Sequence, residues 1–139
     1  MEDVSVMTYS ILAADGDKGE IGGAVASRFP AVAAYCLYLG PGAGIISQGL
    51  ANPILGHRGR TALRKGEQPG ACLDRILAED PHREQRQTLA IDARGRTAVR
   101  TGDEVHSCTA EIVEEGLAIA GNTLADPGVI DDMLAAWRS

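Results

Sequence analysis

The sequence predicts a mixed α+β or layered α/β protein in which strands and helices occur in blocks. Runs rich in β-forming residues are joined by short glycine-containing turns, and helical stripes follow proline-marked starts. The order along the chain is strands, helices, strands and a final helix. Because strands and helices do not alternate one by one, a fold of the dinucleotide-binding type is not expected.

Size and composition indicate one domain. A chain of 139 residues with 45% apolar and 23% charged residues lies in the ordinary range for a single globular domain. Seventeen glycines beside 4% aromatic residues favour closely packed sheets with a core of Ala, Val, Ile and Leu. We therefore expect residues 1–139 to form one domain.

The first block is predicted to be a meander of strands. Its elements are a strand over Met7–Ala14, a turn over Asp15–Gly19, a return strand over Glu20–Arg28, a third strand over Ala31–Leu39, a bend over Gly40–Gly44 and a short run to Ser47. The return strand has no polar face. That pattern favours a position in the sheet centre, buried on both sides.

The remaining elements are predicted from caps and apolar spacing. They are a helix capped by Asn52 with Pro53 first and ending at Gly66, a helix from Pro69 to before Asp80, strands over Arg86–Asp92, Arg96–Thr101 and Gly116–Gly121, and a last helix capped by Asp126 with Pro127 first. Gly56 and Gly59 weaken the first helix. His106–Ile112 is ambiguous between strand and loop.

Charge, cysteines and hydropathy exclude several kinds of partner. The formal net charge of -6 and the lack of a Lys/Arg run argue against a nucleic acid partner. An odd count of three cysteines without a Cys-x-x-Cys pair leaves a free thiol, which favours the reducing cytoplasm. The chain start lacks signal-peptide features, and the longest apolar run, Ala31–Leu39, is too short to span a bilayer. No membrane partner is expected.

Several familiar catalytic and binding patterns are missing. Gly40–Gly44 lacks a Gly-Lys-Ser/Thr ending, the three histidines lack metal-ligand spacing, and no Gly-x-Ser-x-Gly elbow occurs. The acidic residues around the end of the second helix are interpreted as a solvated face; they are Asp74, Glu79, Asp80 and Glu84. We expect no metal site and no cofactor.

Thr8 is the candidate nucleophile. It directly follows Met7, so translation from that methionine or cleavage after it would leave threonine at a free amino terminus. An α-amino group titrates near pH ~8 and is partly unprotonated at neutral pH, so it can accept the hydroxyl proton of the same residue. Composition alone favours the simpler interpretation of Thr8 as a β-branched strand residue.

A set of segments changes that balance, because together they resemble the family of unknown function number 1028. The segments are Thr8–Asp15, Gly19–Phe29, Gln48–Pro53, Asp80–Gln87, Asp92–Gly95, Thr101–Gly102 and Gly121–Leu124, in the order of the family. The resemblance covers nearly the whole chain after Val6. The family is similar to N-terminal-nucleophile (Ntn) hydrolases, which implies an αββα sandwich of antiparallel sheets flanked by helices.

The resemblance implies roles for four residues in the hydrolysis of a small amide or peptide. Thr8 would begin the central strand as the catalytic nucleophile, and Ser27 and Arg28 would flank the substrate. Asn122 or backbone amides would stabilise the oxyanion, and Arg28 would orient a substrate carboxylate through paired hydrogen bonds.

Two features keep a non-catalytic alternative open. Residues 1–6 and Met7 precede Thr8, and Ala31–Leu39 contains no lysine of the kind that many Ntn hydrolases carry near the nucleophile. The alternatives are an oligomeric binding or interaction module on the same fold, or a small-molecule sensor that uses the sheet cleft. Members of the family continue beyond the position of Trp137, so we expect a sandwich truncated at the C-terminus. An exposed sheet edge would then be covered in a homodimer.

Overall fold

Two four-stranded antiparallel sheets frame the protein in a computed structural model that describes residues 7–139. The first sheet has the order β2-β1-β8-β7 and contains β1 (Thr8–Asp15), β2 (Glu20–Ser27), β7 (Ala110–Glu114) and β8 (Leu117–Asn122). The second has the order β3-β4-β5-β6 and contains β3 (Leu37–Gly40), β4 (Ala43–Gly49), β5 (Arg86–Asp92) and β6 (Thr97–Thr101). The helices are α1 (Ala33–Cys36), α2 (Pro53–Arg64), α3 (Pro69–Ala78) and α4 (Gly128–Arg138). The predicted mixed α+β class is confirmed.

The sheets pack face to face, and α2, α3 and α4 lie on their outer faces. The buried apolar residues between the sheets are Leu12, Cys36, Ile46, Leu89, Ile91, Val99, Ala118 and Ala120. Leu55 of α2 and Leu73 of α3 pack against Ile45 on the outer face of the second sheet. Ile130 of α4 packs against Ile119 on the outer face of the first sheet. Alternate residues of each strand therefore belong to different core layers.

The predicted third strand over Ala31–Leu39 is wrong in its first half. Ala31 adopts a left-handed backbone conformation with φ 53°, and the amide of Ala34 donates to its carbonyl at 3.0 Å. The chain then forms the short helix α1 and becomes extended only at Leu37. The turn at Ala31 interrupts an apolar run whose alanines also have high helix propensity.

The return strand is also misplaced by the prediction, because β2 lies at the sheet edge. It pairs only with β1, and its residues alternate between exposed positions such as Gly22 and Ala24 and partly buried ones such as Val25. Small residues give a strand an apolar composition without requiring burial on both faces. The absence of a polar face was therefore a poor guide to its position.

The three predicted helices are present, and the packing of α2 explains why it contains Gly56. The Asn52 side chain accepts hydrogen bonds from the amides of Ile54 at 3.1 Å and Leu55 at 3.4 Å, as predicted for a cap. A side chain at Gly56 would overlap the ring of Tyr38, so this glycine lets α2 approach the sheet closely. Helix α4 begins at Gly128, one residue later than predicted, and Asp126 Oδ1 accepts from the Gly128 amide at 2.7 Å.

Candidate functional site

The side chains that point between the sheets change from apolar to polar along the strands. At one end of this space the inward residues are hydroxyl and amide side chains, and we call this group the polar end. Its members are Thr8, Ser27, Gln48, Gln87, Thr101 and Asn122. Thr8, Gln48, Gln87 and Asn122 are all buried. Buried amides are retained only where hydrogen bonds satisfy them, so their partners define the site.

A network of amide groups joins the two sheets at the polar end. Gln48 Nε2 donates to Gln87 Oε1 at 2.8 Å, and Asn122 Nδ2 donates to the same oxygen at 3.2 Å. Gln87 Nε2 in turn donates to the Gly121 carbonyl at 3.0 Å and to Thr101 Oγ1 at 3.1 Å. Gln87 is therefore the centre of the network, and it fixes β8 of one sheet against β5 of the other.

Thr8 lies at the start of β1, between β2 and β8. The strand register places it directly opposite Ser27 on one side and Asn122 on the other. Its hydroxyl donates to Ser27 Oγ at 3.1 Å, and its exposed fraction is 7%. The side chain therefore faces the space between the sheets, and the neighbours set by its register are polar.

The backbone nitrogen of Thr8 is joined to Met7. The Met7 side chain packs against the apolar cluster on the outer face of the first sheet. While Met7 is attached, Thr8 has no free amine, and its hydroxyl is the part of the residue available for chemistry.

A shallow, open surface cavity of about 590 Å³ lies beside Ser27. Its lining runs from the end of β2 through the following loop into α1, over residues 25–34. Ser27 and Arg28 both belong to the lining. Thr8 is thus one hydrogen bond away from a residue of this lining, and Arg28 is the charged residue of the lining.

Two buried polar atoms near the polar end retain unused hydrogen-bonding capacity. Ser10 Oγ and Gln48 Oε1 have no hydrogen-bond partner among residues 7–139, and their side chains are 0% and 1% exposed. Nearly all buried polar atoms in proteins are paired with a protein group or an ordered water, so these two atoms are free to bind water or another polar group.

A buried ion pair between Arg86 and Asp80 lies next to the polar end. Arg86, the residue before Gln87, donates to Asp80 from Nε at 2.8 Å and from Nη2 at 3.2 Å, and its Nη1 donates to the Leu50 carbonyl at 2.7 Å. Chiefly because of Arg86, the pKa of Asp80 falls from its ordinary value of 3.8 to about 2. The solvated acidic face was therefore a wrong interpretation for Asp80, which is 7% exposed.

The two buried cysteines are protonated at neutral pH. Desolvation raises the pKa of both the Cys36 and the Cys72 thiol to about 11, so neither is a thiolate at neutral pH. Within residues 7–139, no group of three His, Cys, Asp or Glu side chains is arranged to hold a metal ion. No helix in the same range is long and apolar enough to cross a bilayer.

The structure brings together three of the four residues expected from the sequence. Thr8, Ser27 and Asn122 are side by side, and Arg28 lies on the cavity next to them. The sequence analysis does not predict Gln48 or Gln87 as residues of the site. The sequence pattern could have predicted that Gln87 faces the core, because alternate residues of a strand share a face and Leu89 and Ile91 on that face are buried.

Fold and site together define an α+β protein with paired antiparallel sheets and a hydroxyl–amide cluster at one end. The model of the family described as "Family of unknown function (DUF1028)" matches residues 8–139, and the chain belongs to this family. It is similar to the crystal structure of protein SPO2555 from Silicibacter pomeroyi, a structure titled with the same family, with a TM-score of 0.90 and 31% sequence identity. The alignment covers 96% of this chain and 62% of that chain, so the chain spans less than two thirds of that protein's length. No curated protein gives a match.

Proposed function

We propose that the protein is an Ntn-type amidohydrolase in which Thr8 becomes the nucleophile once it is the first residue of the chain. The observation that carries the proposal is the place of the Thr8 hydroxyl: it begins a central strand and bonds to Ser27, which lines a cavity. The family match also begins at Thr8. The two sheets between outer helices suit the αββα sandwich of that superfamily.

The proposed reaction uses one residue as both nucleophile and base. The free α-amine of Thr8 takes the proton from Oγ1, and the oxygen attacks the substrate carbonyl to form a C–O bond. Collapse of the tetrahedral intermediate breaks the C–N bond, and the ammonium returns the proton to the leaving amine. Water then hydrolyses the ester, with the same amine as base, and regenerates the hydroxyl.

Asn122 is the proposed oxyanion donor. It lies opposite Thr8 on β8, and one of its side-chain N–H bonds is directed to Gln87. The amide carries a second N–H group, which can donate to a developing negative charge. Gln87 thus holds the Asn122 amide in place, and a preorganised donor of this kind stabilises the transition state.

The cavity lining supports the proposed substrate class, a small amide or peptide with a carboxylate. Arg28 provides the positive group, and a guanidinium binds a carboxylate through two parallel hydrogen bonds. The surrounding lining is mostly apolar, with Val25, Pro30 and Val32 among its residues. A compact substrate with an apolar body and one acidic group fits this combination.

A second candidate function is a non-catalytic binding module that uses the same cavity. The observation that favours it is the peptide bond between Met7 and Thr8 together with the low exposure of the Thr8 hydroxyl. In this case a carboxylate ligand would raise the melting temperature without turnover.

A β-lactone probe distinguishes the two functions. Its ring opens on a nucleophilic hydroxyl without a leaving group, so the whole probe mass is added to the nucleophile. A chain prepared to begin at Thr8 is expected to gain that mass at Thr8, and labelling is expected to rise with pH through the α-amine pKa near ~8. Chains that begin at Met1, and Thr8→Ala chains, serve as controls and should remain unlabelled. Equal labelling of the Thr8→Ala chain, or none of the trimmed chain, would contradict the hydrolase proposal.

A further inference from the structure

The outer edge of β2 is an unpaired strand edge. All eight residues of β2 pair with β1 in a continuous register from Glu20 to Ser27, and no described residue pairs with the other side. The interior of the strand, residues 21–26, carries no charge and no proline. Such an edge presents free N–H and C=O groups to another strand, and soluble proteins normally block or cover it.

Gly22 on this strand has no packing reason within the described chain. A Cβ added there would meet nothing within 4 Å, whereas at Gly23 it would lie 2.8 Å from Leu12 Cδ2 and 3.0 Å from Leu37 Cδ1. Gly22 also lacks a positive φ. A glycine weakens a strand and often marks the close approach of another backbone. With Ala24 and Ala26 it forms a flat strip on the outward face.

We propose that two copies of the chain pair through their β2 edges, antiparallel about a two-fold axis at Ala24. Alternate residues of β2 direct their backbone groups toward β1, and the others direct them outward. In an antiparallel pair, directly opposed residues both direct their backbone groups toward the other strand or both direct them away. In two identical strands, the two opposed residue numbers are therefore both even or both odd. The two-fold axis then passes through a residue and not between two residues. The result is one continuous eight-stranded sheet.

Charge selects Ala24 as the axis residue. With the axis there, Glu20, the first residue of β2, lies opposite the partner's Arg28, which directly follows the last residue of the strand, and the symmetric pair repeats at the other end. An axis at Gly23 would instead leave Glu20 opposite the partner's Ala26, without an opposite charge. An axis at Val25 would leave Glu20 opposite the partner's Pro30 without an opposite charge.

An exposed aromatic pair adds apolar surface at each end of the interface. Phe29 and Tyr35 are 47% and 51% exposed, and their rings meet edge to face with centroids 5.3 Å apart. Phe29 is two residues beyond Ser27, the last residue of β2, so it lies at the end of the proposed interface. Contact with the partner would bury part of this surface, which stabilises association in addition to the strand hydrogen bonds.

The proposed pairing gives the partner a role at the cavity. Arg28 lines the cavity beside the Thr8–Ser27 hydroxyl pair, and the partner's Glu20 would lie next to it. Assembly would therefore pair a charged residue of the cavity lining with a residue of the partner. The pairing itself rests on the strand edge and holds whether or not the protein is a hydrolase.

Cysteine cross-linking tests the register of the pairing. In a Cys108→Ser background, whose other cysteines are buried, Ala24→Cys would place two thiols directly opposite across the axis. Oxidation should then give a covalent dimer of twice 14.5 kDa. Ala26→Cys is the matched control: its two copies would be about 13 Å apart, too far for a disulfide. A mixture of Gly22→Cys and Ala26→Cys chains should cross-link, because these positions are opposed.

Charge reversal tests the pairing without cysteines. Glu20→Arg or Arg28→Glu alone should weaken dimerisation about tenfold at low salt, and the double variant should restore it. Three results would overturn the proposal: a chain that stays at 14.5 kDa at every concentration, cross-linking at Ala26 as efficient as at Ala24, or protection of the β2 edge amides in a monomer. The last would show that another segment covers the edge.

Discussion

The two ends of the space between the sheets are built by the same strands but have opposite chemistry. Strand β1 contributes Leu12 to the apolar end and Thr8 to the polar end, and β5 contributes Ile91 and Gln87 in the same way. Packing explains the first member of each pair, because apolar burial stabilises the fold. It explains less of the second, because a hydrogen-bonded buried amide or hydroxyl contributes only about 1 kcal/mol net to stability. We infer that stability resides mainly at the apolar end and function at the polar end.

The largest effect is expected at the apolar end. Leu12→Ala removes a side chain that is 0% exposed, and the cavity it leaves should lower the free energy of unfolding by about 3–5 kcal/mol. Urea denaturation at pH 7 measures the change. Leu50→Ala, at a leucine that is 47% exposed, is the control and should change stability by less than ~1 kcal/mol. Similar losses for both variants would refute a core at this end.

The second largest loss of stability is expected when the buried Asp80–Arg86 ion pair next to the polar end is broken. Asp80→Asn leaves the buried Arg86 guanidinium without its counter-charge and should cost about 3 kcal/mol of stability. The matched control is Glu79→Gln in the exposed pair with Arg58, where a change below ~1 kcal/mol is expected. Equal effects would mean that burial of the Asp80–Arg86 pair has no energetic role.

The same carboxylate predicts a pH dependence. The pKa of Asp80 in the folded protein is about 2, below its ordinary value of 3.8, so its stabilising contribution is present above pH 3.8 and is lost as pH falls through 2. The contribution is roughly 2 kcal/mol. The difference in unfolding free energy between the natural chain and Asp80→Asn should therefore shrink between pH 5 and pH 2. A constant difference would contradict the assignment.

Replacement of Gln87, the centre of the amide network, should have an intermediate effect on stability. Gln87→Met keeps the volume but removes the shared acceptor of Gln48 and Asn122, which should lower the free energy of unfolding by about 2 kcal/mol. Gln68→Met at an exposed position is the comparison, with an expected change within ~0.5 kcal/mol. A Gln87→Met protein as stable as the natural chain would show that the network does not hold the sheets together.

The smallest effect is expected at Thr8 itself. Thr8→Val keeps the shape and removes one neutral hydrogen bond to Ser27, so the change should stay below ~1 kcal/mol. Thr97→Val, which removes a hydrogen bond of 2.8 Å to the Glu114 carbonyl, is a reference for a purely structural threonine. A Thr8→Val loss above ~2 kcal/mol would make the hydroxyl a structural group and weaken the case for catalysis.

Much of the secondary structure could be predicted because its signals are local. The Asn52–Pro53 helix start, the turn at Asp15–Gly19 and the strand at Arg86–Asp92 all depend on neighbouring residues, and all are confirmed. The strand predicted at Ala31–Leu39 failed because the left-handed conformation of Ala31 is not encoded by a glycine or asparagine. The edge position of β2 depends on which strands pair, which no local pattern contains.

The candidate site likewise has residues that could be predicted from the sequence and residues that could not. Thr8, Ser27 and Asn122 are candidate residues that the family resemblance implies, and their proximity follows from the register of β1 with its two neighbours. Gln48 and Gln87 could not be recognised as partners, because the bond between them joins residues 39 positions apart. Only the pairing of β4 with β5 brings their amides together.

The intact mass of the protein purified from its native cells tests the central claim most directly. If the polar end is a catalytic site built on Thr8, the native chain should lack residues 1–7 and begin with threonine. Retention of Met7 in active, natively purified protein would contradict the account, because the Thr8 nitrogen would then be a peptide amide unable to serve as the base.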